Sequence, residues 1–315
     1  MKKILVTGGA GFIGSCLVKS LLGSSGEVVV FDNLERGSID RLNSIKNQIE
    51  IINGDIRDTK KVEKAVKGSD VIYHLAAING TENFYKHPKK VLEVGLKGIL
   101  NIMDASLKHN IEHIVVASSA EVYQTPLKIP TPEEEMLKIP NPLEERYSYG
   151  ASKIASELVA FNWAREGNCV QVFRPHNIYG PNMGWKHVIP SLINKIIQIK
   201  KDGTKDLNIL GNGLQTRAFC YVDDLINGMI LLMESNYKKP VNIGNPNEFS
   251  ICELAELIKE LVNPKAKFEF KELPMDDPIQ RKPSIEFARE LLGWEPQIEL
   301  KEGLNKTIEW FKNNI

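Results

Sequence analysis

The chain has 315 residues, 42% hydrophobic and 25% charged, which is the composition of an ordinary globular protein large enough for two lobes. Its 40 basic and 40 acidic residues cancel without a basic stripe, so we expect no nucleic-acid partner. We also expect no membrane span, no metal site and a cytoplasmic location, because no apolar run is long enough and the four cysteines lie far apart.

The first half of the chain alternates short apolar runs with helix-like stretches. The predicted strands cover 4–6, 28–31, 49–52, 71–74, 114–117 and 170–174. The predicted helices cover 12–22, 59–66, 88–108 and a stretch near 143–165. Such alternation predicts a doubly wound α/β sheet with parallel strands.

A glycine-rich turn joins the first predicted strand to the first predicted helix. Gly8 and Gly11 permit a tight turn whose backbone N–H groups can approach a pyrophosphate, and Gly14 lets the helix pack closely on the strand. Asp32 ends the second strand, where a carboxylate binds the adenosine ribose. Its charge favours NAD over NADP, although Arg36 close behind it argues in the other direction.

Further cofactor contacts are expected at the carboxyl ends of the strands, where ligands bind in open α/β sheets. The alternative for these positions is ordinary loop packing. The residues assigned to the cofactor in this way are Phe12, Ile13, Asn33, Asp55, Ile56, Leu75, Ala76 and Ala77.

Tyr149 and Lys153 are four residues apart on a predicted helix and therefore share one face. A free tyrosine has a pKa of about 10 and is a poor base at neutral pH. An ammonium group about 4 Å away contributes up to roughly 4 kcal/mol at an effective dielectric constant of about 20. We therefore predict that Lys153 lowers the pKa of Tyr149, so that the phenol can accept a proton from a substrate hydroxyl. Tyr147 stands six residues before Lys153 and faces elsewhere.

Two further candidates follow the fifth predicted strand. Ser119 lies at the carboxyl edge of the sheet, where it can hydrogen-bond the reacting hydroxyl, and Ser118 is the alternative. Glu121 is either a second acid or base at the same site or a loop residue facing solvent.

After Pro175 the pattern loosens into helices and isolated strands. The predicted helices cover 188–200, 223–234, 251–261, 285–292 and 300–311, and the predicted strands cover 207–210 and 268–271. We therefore predict a Rossmann-type parallel sheet formed by 1–174 and roughly 217–246. A smaller α/β substrate-binding C-terminal lobe would comprise 175–216 and 247–315. The proline- and glutamate-rich segment 124–145 predicts a surface loop, with a lid as one role.

Seven motifs spread over nearly the whole chain carry a family resemblance. They are TGGAGFIG at 7–14, HLAA at 74–77, ASSAEVY at 117–123, YSYGASK at 147–153, RPHNIYGP at 174–181, QTRAFCYVDDL at 215–225 and RKPSIEFARELLGWEP at 281–296. Through them the chain resembles the extended short-chain dehydrogenase/reductase superfamily, in its nucleotide-sugar epimerase/dehydratase branch.

The resemblance implies a reaction in which bound NAD oxidises the sugar at C4 and later returns the hydride. It implies Tyr149 as the base, Lys153 as its tuner and a nicotinamide-ribose ligand, and Ser119 as the hydroxyl partner. It implies a homodimer in which helices 88–108 and 145–165 form a four-helix bundle. It also implies that a nucleotide-diphosphate sugar is held by Asn177, His187, Val188, Arg217 and Arg281.

The resemblance leaves the reaction open. We expect a 4-epimerase first, because it needs only Ser119, Tyr149 and Lys153. A 4,6-dehydratase or a uronate decarboxylase is the alternative, since both share a glutamate at the position of Glu121, although Ala120 stands where many dehydratases carry an acid. A dinucleotide-binding protein without turnover is a distant alternative, because such proteins usually lose the tyrosine–lysine pair.

Three positions depart from the family pattern. Gly95 stands where most relatives carry asparagine, and Gln124 replaces a common glycine. The run Asn79-Gly80-Thr81 after HLAA is unusual. Because these positions are expected near the cofactor or the substrate, they predict an uncommon sugar.

Overall fold

The computed structural model describes residues 2–23, 26–164, 168–202, 207–210, 213–271 and 280–314. Its strands are β1 (Lys2–Thr7), β2 (Gly26–Asp32), β3 (Glu50–Asn53), β4 (Val71–His74), β5 (His113–Ala117), β6 (Cys169–Pro175), β7 (Ile178–Tyr179), β8 (Leu207–Leu210), β9 (Thr216–Ala218), β10 (Cys220–Tyr221), β11 (Pro240–Ile243), β12 (Glu248–Ser250), β13 (Phe268–Lys271) and β14 (Gln280–Arg281). Its helices are α1 (Phe12–Leu22), α2 (Thr59–Val66), α3 (Thr81–Lys86), α4 (Pro88–Lys108), α5 (Ser148–Trp163), α6 (Val188–Asp202), α7 (Val222–Ser235), α8 (Ile251–Val262), α9 (Glu286–Leu292) and α10 (Leu300–Lys312).

Seven parallel strands form the central sheet, in the order β3-β2-β1-β4-β5-β6-β11. The strand order reverses beside β1, because the chain first builds outward through β2 and β3 and then returns to β4 on the other side. Such a switch point opens a crevice at the carboxyl ends of the strands. The predicted Rossmann-type sheet is therefore confirmed.

Helices cover both faces of this sheet and bury its side chains in two cores. Val6 and Val30 belong to a core that includes residues of α1 and α7, whereas Leu5 and Val29 belong to a core that includes residues of α2 and α4. Neighbouring residues of one strand thus point to opposite faces, as the pleat requires. Apolar runs in these strands reflect burial on both sides.

The remaining strands form three small sheets: β7 with β10, β9 between β12 and β14, and β8 with β13. β14 brings Arg281 alongside Arg217 of β9 in parallel register. The division into a Rossmann domain and a substrate-binding lobe remains our proposal, with β11 lying in the large sheet and β9 outside it.

The strands β7, β9, β10, β11, β12 and β14 were not predicted, and two helices differ from the sequence-based prediction. The helix predicted near 143–165 begins at Ser148, after a 3₁₀ turn at Glu145–Tyr147, and α3 was not predicted. Segment 124–145 contains no long helix or strand, but it is more than a surface loop because Thr131 and Glu133 are buried in it.

Helices α4 and α5 pack side by side at the edge of the second core. A Cβ placed on Gly95 would lie 2.7 Å from the Cβ of Ser152, so the larger asparagine common in the family would force these helices apart. Leu100 and Leu158 of this helix pair are exposed. The predicted homodimer and cytoplasmic location remain predictions. None of the helices in the described ranges is long and apolar enough to cross a membrane.

Candidate active site

The glycine turn forms a cradle made of backbone atoms at the end of β1. Gly8 adopts φ +71°, and a Cβ there would lie 2.9 Å from the backbone nitrogen of Ala76. A Cβ on Gly14 would lie 2.2 Å from the carbonyl oxygen of Gly8. Helix α1 begins after Gly11 without a side-chain cap, so its first N–H groups remain available to an anion. This cradle fits the diphosphate of NAD.

The predicted ribose ligand Asp32 is buried and braces the same turn. Its carboxylate accepts hydrogen bonds from the backbone N–H groups of Ala10 at 3.1 Å and Leu34 at 2.8 Å. Each carboxylate oxygen has more than one lone pair, so Asp32 can still accept from a ribose. Asp32 therefore stabilises the glycine turn and also lies where the adenosine ribose is predicted to bind.

The next predicted cofactor residues lie together beside Asp32. The amide nitrogen of Asn33 lies 3.4 Å from Asp55, which forms an ion pair with Arg57 at 2.7 Å. The hydrogen bond from Arg57 is the largest effect that lowers the pKa of Asp55 to about 2. Ile56 is buried, and its carbonyl oxygen accepts a hydrogen bond from Asn101 at 2.9 Å.

Residues after β4 form the opposite wall of the glycine turn. The backbone N–H of Leu75 donates to the carbonyl of Thr7 at 3.2 Å, and the N–H of Ala76 donates to the Thr7 hydroxyl at 3.3 Å. These bonds hold the start of HLAA against Gly8. The structure thus places most predicted cofactor residues around one crevice, while their contacts with NAD remain predictions.

Tyr149, Ser119 and Lys153 meet at the carboxyl end of β5. Ser119 lies close enough to the Tyr149 hydroxyl to lower its pKa. The Lys153 ammonium lies 5.7 Å from the centroid of the Tyr149 ring and donates to the carbonyl of Ala117 at 2.7 Å. The predicted shared helix face therefore exists, and both side chains are buried.

Burial is the main influence on the charge states of Tyr149 and Lys153. Burial raises the pKa of Tyr149, and the hydrogen bond from Ser119 opposes that rise only in part. Burial also lowers the pKa of Lys153 to about 8, against the charge of Glu157. The groups that act on the pKa of the phenol, after burial, are Ser119, Glu121 and Arg36 rather than Lys153, so the protein's own groups leave the phenol protonated at neutral pH.

Glu121 lies between two arginines in the same cleft. Its carboxylate lies 2.7 Å from Nη1 of Arg281 and 3.0 Å from Nη1 of Arg146, and all three side chains are at most 14% exposed. Burial would raise the pKa of Glu121, but the two guanidinium charges and their hydrogen bonds lower it to about 2. We call these three residues the carboxylate cluster.

The carboxylate cluster carries more positive than negative charge. Two guanidinium groups face one carboxylate within the cluster, so it holds one positive charge in surplus. Among the residues that the structure describes, Nε of Arg281 is buried and has no hydrogen-bond partner. A buried donor without a partner costs free energy that an anionic ligand would recover. The cluster is therefore suited to bind an anion beside Ser119 and Tyr149.

Arg146 and Phe84 were missed by sequence reasoning. The Phe84 ring stacks on Tyr149 with centroids 5.0 Å apart and planes 9° apart, and the Arg146 guanidinium lies 5.7 Å from the Phe84 centroid. Arg146 could have been found, because it precedes Tyr149 by three residues, about one helical turn. Phe84 belongs to the unpredicted α3 and gave no comparable signal.

The position of Arg281 is fixed by the segment around Thr131. The N–H of Thr131 donates to the carbonyl of Lys282 at 2.8 Å, and its own carbonyl accepts from the N–H of Ser284 at 2.8 Å. The buried amide of Asn242 donates to the carbonyls of Thr131 at 3.0 Å and Ser284 at 3.1 Å. Lys282 and Ser284, which follow Arg281 in the chain, are therefore held in place by these hydrogen bonds.

The other predicted substrate residues are placed less directly. Asn177 has φ +44° and donates its amide to the carbonyl of Ala218 at 2.9 Å, so part of its hydrogen-bonding capacity stabilises the fold. Arg217 is buried beside Arg281, and its Nη1 donates to the carbonyl of Thr216. Burial lowers the pKa of His187, just before α6.

Val188, the last of the predicted substrate residues, begins α6, and its side chain is exposed.

The presence of Gln124 where glycine is common has a structural consequence. This residue takes the left-handed conformation, φ +52°, in which glycine is favoured. Its side-chain amide donates to the carbonyl of Glu121, which compensates for part of the backbone strain. Gln124 therefore supports the residue at the centre of the carboxylate cluster.

The chain is similar to known proteins over nearly its whole length. A sequence model of the NAD dependent epimerase/dehydratase family matches residues 4–244. UDP-glucuronic acid decarboxylase 1 of Arabidopsis thaliana is 37% identical over 318 residues, covering 99% of this chain and 70% of that protein. Among solved structures, a UDP-glucose 4-epimerase of Thermotoga maritima with UDP-glucose has a TM-score of 0.90 at 28% identity, covering 99% of both chains. The structure of MoeE5 with UDP-glucuronic acid and NAD has a TM-score of 0.84 at 27% identity, covering 99% of this chain and 100% of that one.

Proposed function

The chain belongs to the NAD-dependent epimerase/dehydratase family, and from that premise we propose that this enzyme decarboxylates a UDP-linked uronic acid. The carboxylate cluster is the observation that carries the proposal. It offers two arginines and a surplus positive charge to a substrate anion beside the predicted C4 hydroxyl site. Relatives named as UDP-glucuronic acid decarboxylases support the same assignment.

The chemistry of a uronic acid explains why a carboxylate site belongs beside an oxidation site. Oxidation at C4 creates a ketone two bonds from the carboxylate carbon. The bond from C5 to that carbon can then break, with its electrons moving into the ketone, so that carbon dioxide leaves. The resulting enolate takes a proton at C5, and reduction at C4 completes the pentose. When bound, NAD supplies the acceptor for the C4 hydride and later its donor.

The chain's own residues have separate tasks in this scheme. Tyr149, as the phenolate, would accept the proton of the C4 hydroxyl during oxidation and return it on reduction, while Ser119 hydrogen-bonds the C4 oxygen. The positive charge of Lys153, with that of NAD⁺ when it is bound, would favour this phenolate. Arg146 and Arg281 bind and orient the sugar carboxylate, since a guanidinium matches a carboxylate in two hydrogen bonds.

Glu121 positions the two arginines rather than removing a proton. With its pKa lowered to about 2 by Arg281 and Arg146, its carboxylate is a weak base. A 4,6-dehydratase needs a base that takes the C5 proton, so this arrangement argues against dehydration.

A 4-epimerase, the reaction expected first from the sequence, is the second candidate. The likeness to the Thermotoga maritima epimerase favours it, and it would use Ser119, Tyr149 and Lys153 in the same way. It gives the carboxylate cluster no task, however, and the similarity to decarboxylases over 99% of the chain favours the proposed reaction.

Incubating the enzyme with NAD and UDP-glucuronic acid in deuterated water tests the proposal. We expect carbon dioxide and a UDP-pentose that carries one solvent deuteron at C5, both visible by NMR. UDP-glucose in a parallel reaction separates the alternatives, because epimerisation leaves its product unlabelled. Turnover of UDP-glucose without decarboxylation of UDP-glucuronic acid would overturn the proposal.

A further inference from the structure

Phe84 is a buried aromatic residue that contacts two side chains of the proposed reaction. Its ring stacks on the Tyr149 ring, with the centroids 5.0 Å apart and the planes 9° apart. The guanidinium carbon of Arg146 lies over the Phe84 ring, 5.7 Å from its centroid. Phe84 is 2% exposed and forms a small apolar cluster with Val91 and Tyr149, separate from the two large cores. Its burial therefore serves the active site rather than the packing of the central sheet.

The run Asn79-Gly80-Thr81, which is unusual in the sequence, leads into the short helix that carries Phe84. Gly80 has φ +107°, a conformation that glycine adopts readily and other residues rarely. The side-chain amide of Asn83 donates to the carbonyl of Asn79 at 2.8 Å, and its backbone N–H donates to the carbonyl of Gly80 at 2.8 Å. Helix α3 then packs against the 3₁₀ turn before α5. The unusual run therefore has a local task, which is to place Phe84.

The stacked ring of Phe84 restrains the plane of the Tyr149 ring. Parallel aromatic rings attract each other beyond the effect of burial, and this attraction is lost when one ring turns out of the stack. The Lys153 ammonium lies 5.7 Å from the centroid of the same tyrosine ring. The phenol therefore has a defined direction before a substrate binds, as a reaction that depends on orientation requires.

The same ring also restrains Arg146. A guanidinium over an aromatic face is attracted by the electrons of the ring. Nη1 of Arg146 donates to Glu121 at 3.0 Å, so an aromatic contact and a hydrogen bond together hold this side chain. A guanidinium has five N–H donors, which leaves others for a substrate anion.

We infer that Phe84 is a positioning residue that holds Tyr149 and Arg146 at one spacing, and that this spacing selects a sugar nucleotide with a carboxylate on C5. The inference rests on the proposed function. In a uronic acid the C4 hydroxyl and the carboxylate stand on neighbouring ring carbons, so their separation is nearly fixed. The base and the guanidinium must match that separation, and Phe84 contacts both of them.

Phe84→Leu in the NAD-loaded full chain tests the effect on Arg146, because leucine is apolar but lacks the aromatic face. Calorimetry should show about fivefold to thirtyfold weaker binding of UDP-glucuronic acid, the loss expected for a desolvated cation–π contact. UDP-glucose has no carboxylate, so its affinity should stay within about twofold of wild type, which also shows that the variant is folded. Phe84→Tyr keeps the aromatic face and should retain most of the affinity for the uronate.

A single-turnover measurement tests the effect on Tyr149. At saturating UDP-glucose, Phe84→Leu should slow the reduction of nicotinamide about threefold to tenfold, because the phenol is less well oriented. Phe84→Tyr should reduce nicotinamide near the wild-type rate. Saturation removes any contribution from binding, so this rate reports on orientation.

Phe161→Leu is the matched control, since it removes a ring from the second core near the C-terminal end of α5. It should leave both affinities and the reduction rate unchanged. Unchanged uronate binding in Phe84→Leu, equal losses for the two sugar nucleotides, or equal losses in Phe84→Leu and Phe84→Tyr would overturn the inference. Absence of decarboxylation by the wild type would overturn the proposed function alone, because neither affinity nor nicotinamide reduction depends on release of carbon dioxide.

Discussion

The cofactor side and the carboxylate side of the cleft are built on different principles. The cofactor side consists of backbone groups from a turn within 7–14, and glycine is required there because a Cβ would collide with backbone atoms. In the carboxylate cluster, by contrast, Arg146 and Arg281 lie 25 and 160 residues from Glu121 along the chain. The first region is a local motif, whereas the second exists only after the chain has folded. Substrate choice therefore depends on the part that sequence patterns describe least.

The largest effect is expected on the carboxylate side of the cleft, from Arg281→Gln. Removing this guanidinium should lower the decarboxylation rate about a hundredfold to a thousandfold, the usual effect of losing one placed charge donor. Oxidation at C4 should suffer much less, because Ser119 and Tyr149 remain. Carbon dioxide release and the absorbance of reduced nicotinamide report the two steps separately.

The neighbouring Lys282→Gln is the matched control for that variant. Lys282 lies 3.7 Å from Glu248, outside the carboxylate cluster, so this substitution should leave decarboxylation near the wild-type rate. Equal losses of oxidation and decarboxylation in Arg281→Gln would mean that the arginine supports the whole site rather than the sugar carboxylate.

On the cofactor side, adding a single methyl group at Gly14 should destabilise the protein. Gly14→Ala places a Cβ against the carbonyl of Gly8, and such overpacking costs about 1–3 kcal/mol of unfolding free energy, with weaker NAD binding. Gly23→Ala adds the same methyl group at the end of α1, where the nearest atom is 3.4 Å away and φ is −70°. Urea unfolding should therefore separate the two variants, and equal stabilities would contradict the close approach in the cradle.

Glu133 provides a pH-dependent prediction near the support of the carboxylate cluster. Burial raises its pKa to about 7, while its carboxylate accepts the N–H of Asn242 at 2.8 Å. Because the folded state then holds the proton more tightly than the unfolded state, stability should fall as pH rises from about 4.5 to about 7. Glu133→Gln removes this penalty and should stabilise the protein by up to about 3 kcal/mol at alkaline pH, but not at acidic pH.

Urea unfolding at about pH 5 and about pH 8 measures that difference. Glu134→Gln is the control, because the neighbouring side chain is exposed. A stabilisation in Glu133→Gln that does not change with pH would contradict the raised pKa.

The smallest effect is expected at the helix pair α4 and α5, where it would change the oligomeric state. If α4 and α5 form the predicted dimer interface, Leu158→Glu should shift sedimentation toward the monomer with little change in monomer fold, since Leu158 is 61% exposed. Leu291→Glu on α9, also exposed, should have no such effect. A wild-type monomer at micromolar concentration would rule out the dimer.

Local patterns predicted most of the large sheet and the cofactor side. The glycine turn, the carboxylate ending β2, and the four-residue spacing of Tyr149 and Lys153 are all readable within short windows. The predicted helix start near 143 was wrong by about five residues, because a 3₁₀ turn at Glu145–Tyr147 directly precedes α5, which begins at Ser148.

The support for Arg281 could not be predicted in this way. Asn242 donates to Thr131, which is 111 residues away, and to Ser284, which is 42 residues away. No spacing rule links such positions, since only the return of β11 to the sheet brings them together. The apolar pattern predicted that the middle of the chain returns to the sheet, but not which side chains meet there.

The proposed carboxylate site is tested best by comparing the affinities of the NAD-loaded enzyme for UDP-glucuronic acid and for UDP-glucose. Calorimetry should show at least about tenfold tighter binding of the uronate, because a buried charged hydrogen bond is gained. This preference should disappear in Arg146→Gln and in Arg281→Gln. Equal affinities in the wild type, or a preference that survives both substitutions, would contradict a carboxylate site formed by these arginines.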